Sequence, residues 1–120
     1  MLRDDLFYLA YKLYFLEAVT LYSSPMETSI HNFASVVGQT VAIKGWAYNV
    51  RSSGSIAFLQ IRDGSGFTQA VVAKQAVDEA SWEAAVNTTI ESSVVLEGTV
   101  SKHPKQEGVY ELQVSKVTLL

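Results

Sequence analysis

Phe58, Gln60 and Arg62 occupy alternate positions of the segment Ile56–Arg62, and Gln69 stands in the apolar stretch that follows. Alternate side chains of a strand share a face. Ala57, Leu59 and Ile61 would therefore enter a core, leaving Ile56, Phe58, Gln60 and Arg62 on the opposite side. An aromatic ring among polar neighbours suits single-stranded nucleic acid, whose bases stack on such rings beside a positive groove for about 1–3 kcal/mol each. Gln69 shares a face with Phe67 and Val71, so its amide projects beside Phe58. A carboxamide donates and accepts at once, as the Watson–Crick edge of a base requires. Each residue also has a plainer reading: Phe58 as a plug for one end of a barrel or packed under the N-terminal extension, Gln69 as a solvated strand residue, Arg51 as a loop charge.

The 12 acidic and 9 basic residues leave a formal charge of −3, which argues against a non-specific nucleic-acid binder. The distribution points the other way. From Gly38 to Gln75, Lys44, Arg51, Arg62 and Lys74 face a single acid, Asp63, while Asp78, Glu79 and Glu83 gather elsewhere. One face can attract phosphates on a molecule that is acidic as a whole. No catalytic residue is expected. His31 and His103 have no partner at ligand spacing, so no metal is expected either. Gly64-Ser65-Gly66 lacks the lysine and serine of a phosphate loop and the third glycine of a dinucleotide fingerprint, and no serine–histidine–acid set stands out. The absence of cysteine fits a reducing cytosol and leaves packing to hold the chain together.

These residues need a sheet to position them. Ile30 to Val37 reads as a short helical turn capped by Gly38. A first strand is expected over Thr40 to Asn49, with Val41, Ile43 and Ala47 on one face and Lys44, Trp46 and Tyr48 on the other; Gly45 marks a bulge or bend. Arg51-Ser52-Ser53-Gly54 reads as a turn, Ile56 to Arg62 as the second strand, Asp63-Gly64-Ser65-Gly66 as the next turn and Phe67 to Val72 as the third strand. Val77, Ala80 and Ala84 fall at i, i+3 and i+7, predicting a helix over Gln75 to Asn87. Val94 to Val100 and Val109 to Leu120 complete the set, joined by the loop Lys102 to Gly108. In the last strand the alternation of Tyr110, Leu112 and Val114 passes to Val117 and Leu119, implying a bulge near Ser115 and Lys116. Three strands, a helix and two strands is the order of an all-β OB-fold, a five-stranded barrel. An SH3-like barrel would lack the helix.

Residues 26–120 are thus expected to form the barrel domain, and 1–25 an extension. Within it, Leu6 to Tyr22 is almost wholly apolar and aromatic, interrupted by Lys12, Glu17 and Thr20 and stopped at Ser23-Ser24-Pro25. That run is too short and too charged for a membrane span, and Asp4 and Asp5 offset Arg3 where a signal peptide is positive. Three readings stay open: a helix packed on the barrel or a partner, a non-native leader ahead of a start at Met26, or a membrane-associated helix.

The stretch Gly45-Trp46, Arg51-Ser52-Ser53-Gly54, Phe58-Leu59-Gln60-Ile61-Arg62-Asp63-Gly64, Gly66 and Gln69 resembles the anticodon-binding domain of class II aminoacyl-tRNA synthetases of the aspartyl, asparaginyl and lysyl subgroup. The paired serines before Gly54 and the Arg-Asp-Gly-Ser-Gly turn are most similar to the asparaginyl branch. The likeness runs from about Ile30 to Leu120 and includes Glu97-Gly98-Thr99-Val100, Pro104 and Tyr110-Glu111-Leu112. It implies that Phe58 is the stacking aromatic, Gln69 the glutamine that reads the middle anticodon uracil and Arg51 the loop arginine near the anticodon; the charge and face pattern adds Lys44, Gln60 and Arg62 as further binding residues. Ser55 stands where the family usually has lysine, and Asn49 and Val50 where aspartyl members have arginines, so fewer phosphate contacts and a weaker salt dependence are expected.

The resemblance also implies partners: the anticodon loop of tRNA, tRNA-Asn above all, and a catalytic synthetase domain in a cytoplasmic protein. ATP and magnesium would belong to that domain, since Arg51 and Arg62 are the only arginines beyond Arg3. No cofactor is expected here. Two rival readings remain, an OB module for protein contacts in which Phe58 and the N-terminal helix form an apolar patch and a general single-strand binder indifferent to sequence.

Overall fold

The computed structural model describes residues 25–120; the apolar run Leu6 to Tyr22 lies outside them. Five long strands form the barrel: β2 (Thr40–Ser53), β3 (Ile56–Arg62), β4 (Phe67–Ala73), β5 (Ser93–Lys102) and β6 (Tyr110–Leu119), preceded by a two-residue β1 (Met26–Glu27). The strand order is β1-β2-β3-β4-β6-β5, and β5 pairs back onto β2 to close the sheet. The same strand serves two partners. Thr40 to Trp46 runs antiparallel to β5, and Trp46 to Ser53 antiparallel to β3. Closure removes the open edges that an isolated sheet would expose.

The alternation read in the sequence is the burial observed. Val41, Ile43, Ala47, Ala57, Leu59, Ile61, Ala70, Val72, Val94, Leu96 and Leu112 are all fully buried. One end of the barrel is filled by Ile30 and Phe33 of a 3-10 turn (Ile30–Ser35). The other is covered by helix α1 (Glu79–Asn87), which packs mainly on β6. The bulge expected near Ser115 is present: Glu97 pairs with Lys116 and Gly98 with Val114, leaving Ser115 over.

Three expectations are corrected. The first strand continues to Ser53, and the hairpin loop is only Gly54-Ser55, since Ser53 pairs with Ile56. Gly54 has φ 62, the left-handed first position that a two-residue loop of this kind calls for. Arg51 is therefore a strand residue. Second, the bulge in β2 is not at Gly45 but between Ala47 and Asn49. Gly45 is needed instead for a close approach, because a Cβ there would come 2.5 Å from the Arg62 carbonyl oxygen. Third, the helix begins at Glu79: Lys74–Ala76 is a separate 3-10 turn, Val77 is extended, and the Asp78 carboxylate caps α1 by accepting from the Ser81 N–H at 2.8 Å. Its buried residues are Ser81 and Ala85 rather than Ala80. Ser81 can be buried because its hydroxyl accepts the Val117 N–H at 3.0 Å, which satisfies a buried polar group on each side.

Asp63 fixes the turn between β3 and β4 to the 3-10 turn. Its Oδ1 accepts from the Ser65 hydroxyl at 2.6 Å, the Ser65 N–H at 2.8 Å and the Gly66 N–H at 3.2 Å, and its Oδ2 from the Ile30 N–H at 2.9 Å. Burial pushes this carboxyl up, but the bonds from the Ser65 hydroxyl and the Ile30, Ser65 and Gly66 N–H groups outweigh it and hold it below its ordinary 3.8. A carboxyl lowered on folding adds stability above its unfolded pKa, which is lost as pH falls through the folded value. Thermal midpoints should therefore hold steady down to about pH 5 and drop as the pH passes below about 4. Asp63→Asn should be less stable at pH 7 by about 1–2 kcal/mol, the loss of charge-assisted bonds, with a shallower acid decline. A variant with the parent's acid profile would show that Asp63 does not set it.

Candidate nucleic-acid interface

The bulge in β2 decides what stands on the outer face. Ala47 and Val50 both turn to the core, so Tyr48 and Asn49 share the outside. A one-residue slip moves every later side chain to the other face. Without it Arg51 would point into the barrel. With it, Arg51 lies directly opposite Phe58, its guanidinium carbon 4.7 Å from the ring centroid. The guanidinium plane and the free side of the ring are both surfaces on which a base can stack.

The next row of this face, one step along the sheet, is Gln60 opposite Gln69. They belong to a hydrogen-bonded relay. The Tyr48 hydroxyl donates to Gln60 Oε1 at 3.3 Å, Gln60 Nε2 donates to Gln69 Oε1 at 2.6 Å, and Gln69 Nε2 donates to Glu111 Oε2 at 2.7 Å. Glu111 pairs with Gln69 across the parallel β4–β6 contact and is only 7% exposed. An ionised carboxylate can only accept, so it fixes which end of the Gln69 amide faces it. That choice fixes Gln60 in turn. Each amide keeps one N–H and one lone pair unspent, and Glu111 keeps spare acceptor capacity. A base edge that both donates and accepts would meet a surface already oriented. The recess in front of the relay, ≈ 260 Å³, is lined by Tyr48, Gln60, Gln69 and Glu111, with Phe67 and His103 on its rim.

Phe58, Arg51, Gln60 and Gln69, expected from the sequence, are thus brought together. Arg62 and Lys44 are placed apart from them. Arg62 follows Gln60 on the same face, but its guanidinium binds Glu91 at 3.0 Å and lies over Trp46 at 5.3 Å. Lys44 is on the half of β2 that pairs with β5, about 23 Å along the strand from Arg51, and faces Glu27 at 3.6 Å. Arg51 is not in an ion pair among the described residues. The positive charge read along Gly38 to Gln75 is thus divided, and at Phe58 it comes from Arg51. Sequence reasoning missed Tyr48 and Glu111 as members of this site. The available signal was Glu111 itself, a lone acid between Tyr110 and the core residue Leu112.

Comparison with known proteins agrees with the fold. The profile of the OB-fold nucleic acid binding domain family matches residues 41–120. The chain is 46% identical over 91 residues to an asparagine–tRNA ligase of Pelotomaculum thermopropionicum, covering 76% of this chain and 21% of that protein. It is 46% identical over 84 residues to the asparagine–tRNA ligase of Sorangium cellulosum, covering 70% and 19%. The crystal structure of asparaginyl-tRNA synthetase from Pyrococcus horikoshii with asparaginyl-adenylate superposes with a TM-score of 0.70 at 35% identity, over 78% of this chain and 22% of that one. The chain spans about a fifth of the length of these relatives. Among the described residues no helix is long and apolar enough to cross a membrane.

Proposed function

Because the chain belongs to the family of OB-fold nucleic acid binding domains, we propose that it binds the anticodon loop of tRNA, as the anticodon-recognition domain of an asparagine–tRNA ligase. The observation that carries this reading is the relay Tyr48–Gln60–Gln69–Glu111 lying beside the Arg51–Phe58 pair. A stacking surface next to oriented amides holds a base by its face and questions it by its edge. Uracil offers one N–H donor between two carbonyl acceptors, which the free N–H and lone pair of Gln69 complement. Activation of asparagine, with ATP and magnesium, belongs in this reading to a catalytic domain outside these residues, and the setting is the cytoplasm. The relatives that the chain resembles are named asparagine–tRNA ligases, and tRNA-Asn is the tRNA this reading proposes.

Gln69→Ala tests the reading. Losing a hydrogen bond to a base edge costs the matching base and spares a base that never used the amide. Binding to a stem-loop with a central uracil should weaken about tenfold, near the 1–2 kcal/mol that such a bond supplies. Binding to a central-adenine stem-loop should hardly change. A folded variant that prefers uracil as strongly as the parent would remove Gln69 from the reading role.

A further inference from the structure

We propose that Phe67 is a second stacking platform, which holds the nucleobase adjoining the one that Gln69 meets. The inference rests on the anticodon-loop reading above and extends it by one nucleotide. Phe67 opens β4 and is 69% exposed, against 37% for Ile56, the other exposed large apolar residue of this face. It is not needed as a plug, since Ile30 and Phe33 fill that end of the barrel at 5% and 2% exposure. Its place on the sheet is regular. Phe58 lies opposite Val71, Gln60 opposite Gln69 and Arg62 opposite Phe67, three rows of one face. Each row is about 7 Å from the next, two residues of a strand, so the relay lies between two aromatic rings.

The surroundings suit an inserted base. Tyr48 meets Phe67 edge to face, ring centroids 5.5 Å apart at 78°. That contact steadies the ring and engages at most one of its two faces. Phe67 lines two recesses: the ≈ 260 Å³ recess in front of the relay, and one of ≈ 340 Å³ that it shares with Trp46, Arg62, Gly64, Ser65 and Gly66. His103, on the rim of the first, accepts the Lys105 and Gln106 N–H groups at 3.1 Å each through Nδ1, so in the neutral ring the proton is on Nε2 as a donor. Sheet-borne aromatics that stack successive bases are a general device for single strands.

The test uses the full chain and anticodon stem-loops carrying a central uracil, with 2-aminopurine at either neighbouring position. With the parent, fluorescence should be quenched at one of the two neighbours on binding. Phe67→Ala should weaken binding roughly 5- to 100-fold and abolish that quenching, while keeping the preference for central uracil. Phe67→Trp should restore both. Because Phe67 is outside the core, the alanine variant should melt as the parent does. Unchanged affinity and quenching in a folded Phe67→Ala variant would overturn the inference, as would loss of self-association as its sole effect. If the parent itself bound no stem-loop, the anticodon reading would fail first. A parent with a Gln69-dependent preference that ignores Phe67 would leave that reading intact and overturn this one alone.

Discussion

Gly98→Ala is expected to cost the barrel about 3 kcal/mol or more, the upper range for overpacking of a tight site. A Cβ at this position would collide with the carbonyl of Gln113 and with the Val114 Cα. Both are backbone atoms of the neighbouring strand, so no side chain can turn aside to make room. The collision falls where the bulge at Ser115 presses β6 against β5, and β5 is also the strand that closes the barrel on β2. With total stability of about 5–15 kcal/mol for a domain, such a loss takes a large share. Urea midpoints should fall sharply with little change in slope. Gly54→Ala is the contrast: a Cβ there meets nothing within 4 Å, and only the φ of 62° is unfavourable, about 1–2 kcal/mol. Equal midpoints for the two variants would show that strand proximity at Gly98 is not limiting.

Phe58→Ala should have the largest effect on binding. In the proposed reading its ring is the stacking surface of the Arg51–Phe58 pair, and removing it should forfeit about 1–3 kcal/mol with any base, since every base has a π-face. Affinity for the anticodon stem-loop should drop roughly 5- to 150-fold, with the ranking of central bases preserved. Arg51 also loses the ring beneath its guanidinium, so the salt dependence of binding is worth following in the same titrations. A folded Phe58→Ala variant that bound as tightly as the parent would exclude stacking there. One that lost its preference for uracil would mean that the ring, not the amide row, selects the base.

The face carrying Phe58 and Gln60 was legible because β3 is a plain alternating strand with Ala57, Leu59 and Ile61 buried. Gln69 followed from the same logic in β4. Arg51 was harder. Its residue type and the family likeness placed it near the anticodon, but its seat opposite Phe58 depends on the slip between Ala47 and Asn49, and nothing local marks Tyr48 as the extra residue. Arg-Ser-Ser-Gly has the composition of a turn, and only pairing with Ala57 and Ile56 holds Ser52 and Ser53 in the strand. The relay could not be read in sequence, because its link from Gln69 to Glu111 spans 42 residues and exists only through the parallel contact of β4 with β6. Ser81 escaped for a different reason: apolar periodicity does not count a hydroxyl that a backbone donor makes burial-compatible.

That parallel contact also ties the site to the order in which the chain is made. β2, β3 and β4 can pair with one another as soon as they emerge, since they are consecutive hairpins. Glu111, which orients the amides, arrives only with the last strand, and β5 must reach back across 59 residues to join Thr99 to Thr40. Bringing such distant ends together costs about 3–4 kcal/mol of chain entropy before the contacts repay it, so closure belongs late in folding. On the proposed reading, an unfinished sheet would present Phe58 without directed amides beside it, able to stack on any base and to choose none. If the amides select the base, selectivity would be acquired only when β6 docks on β4.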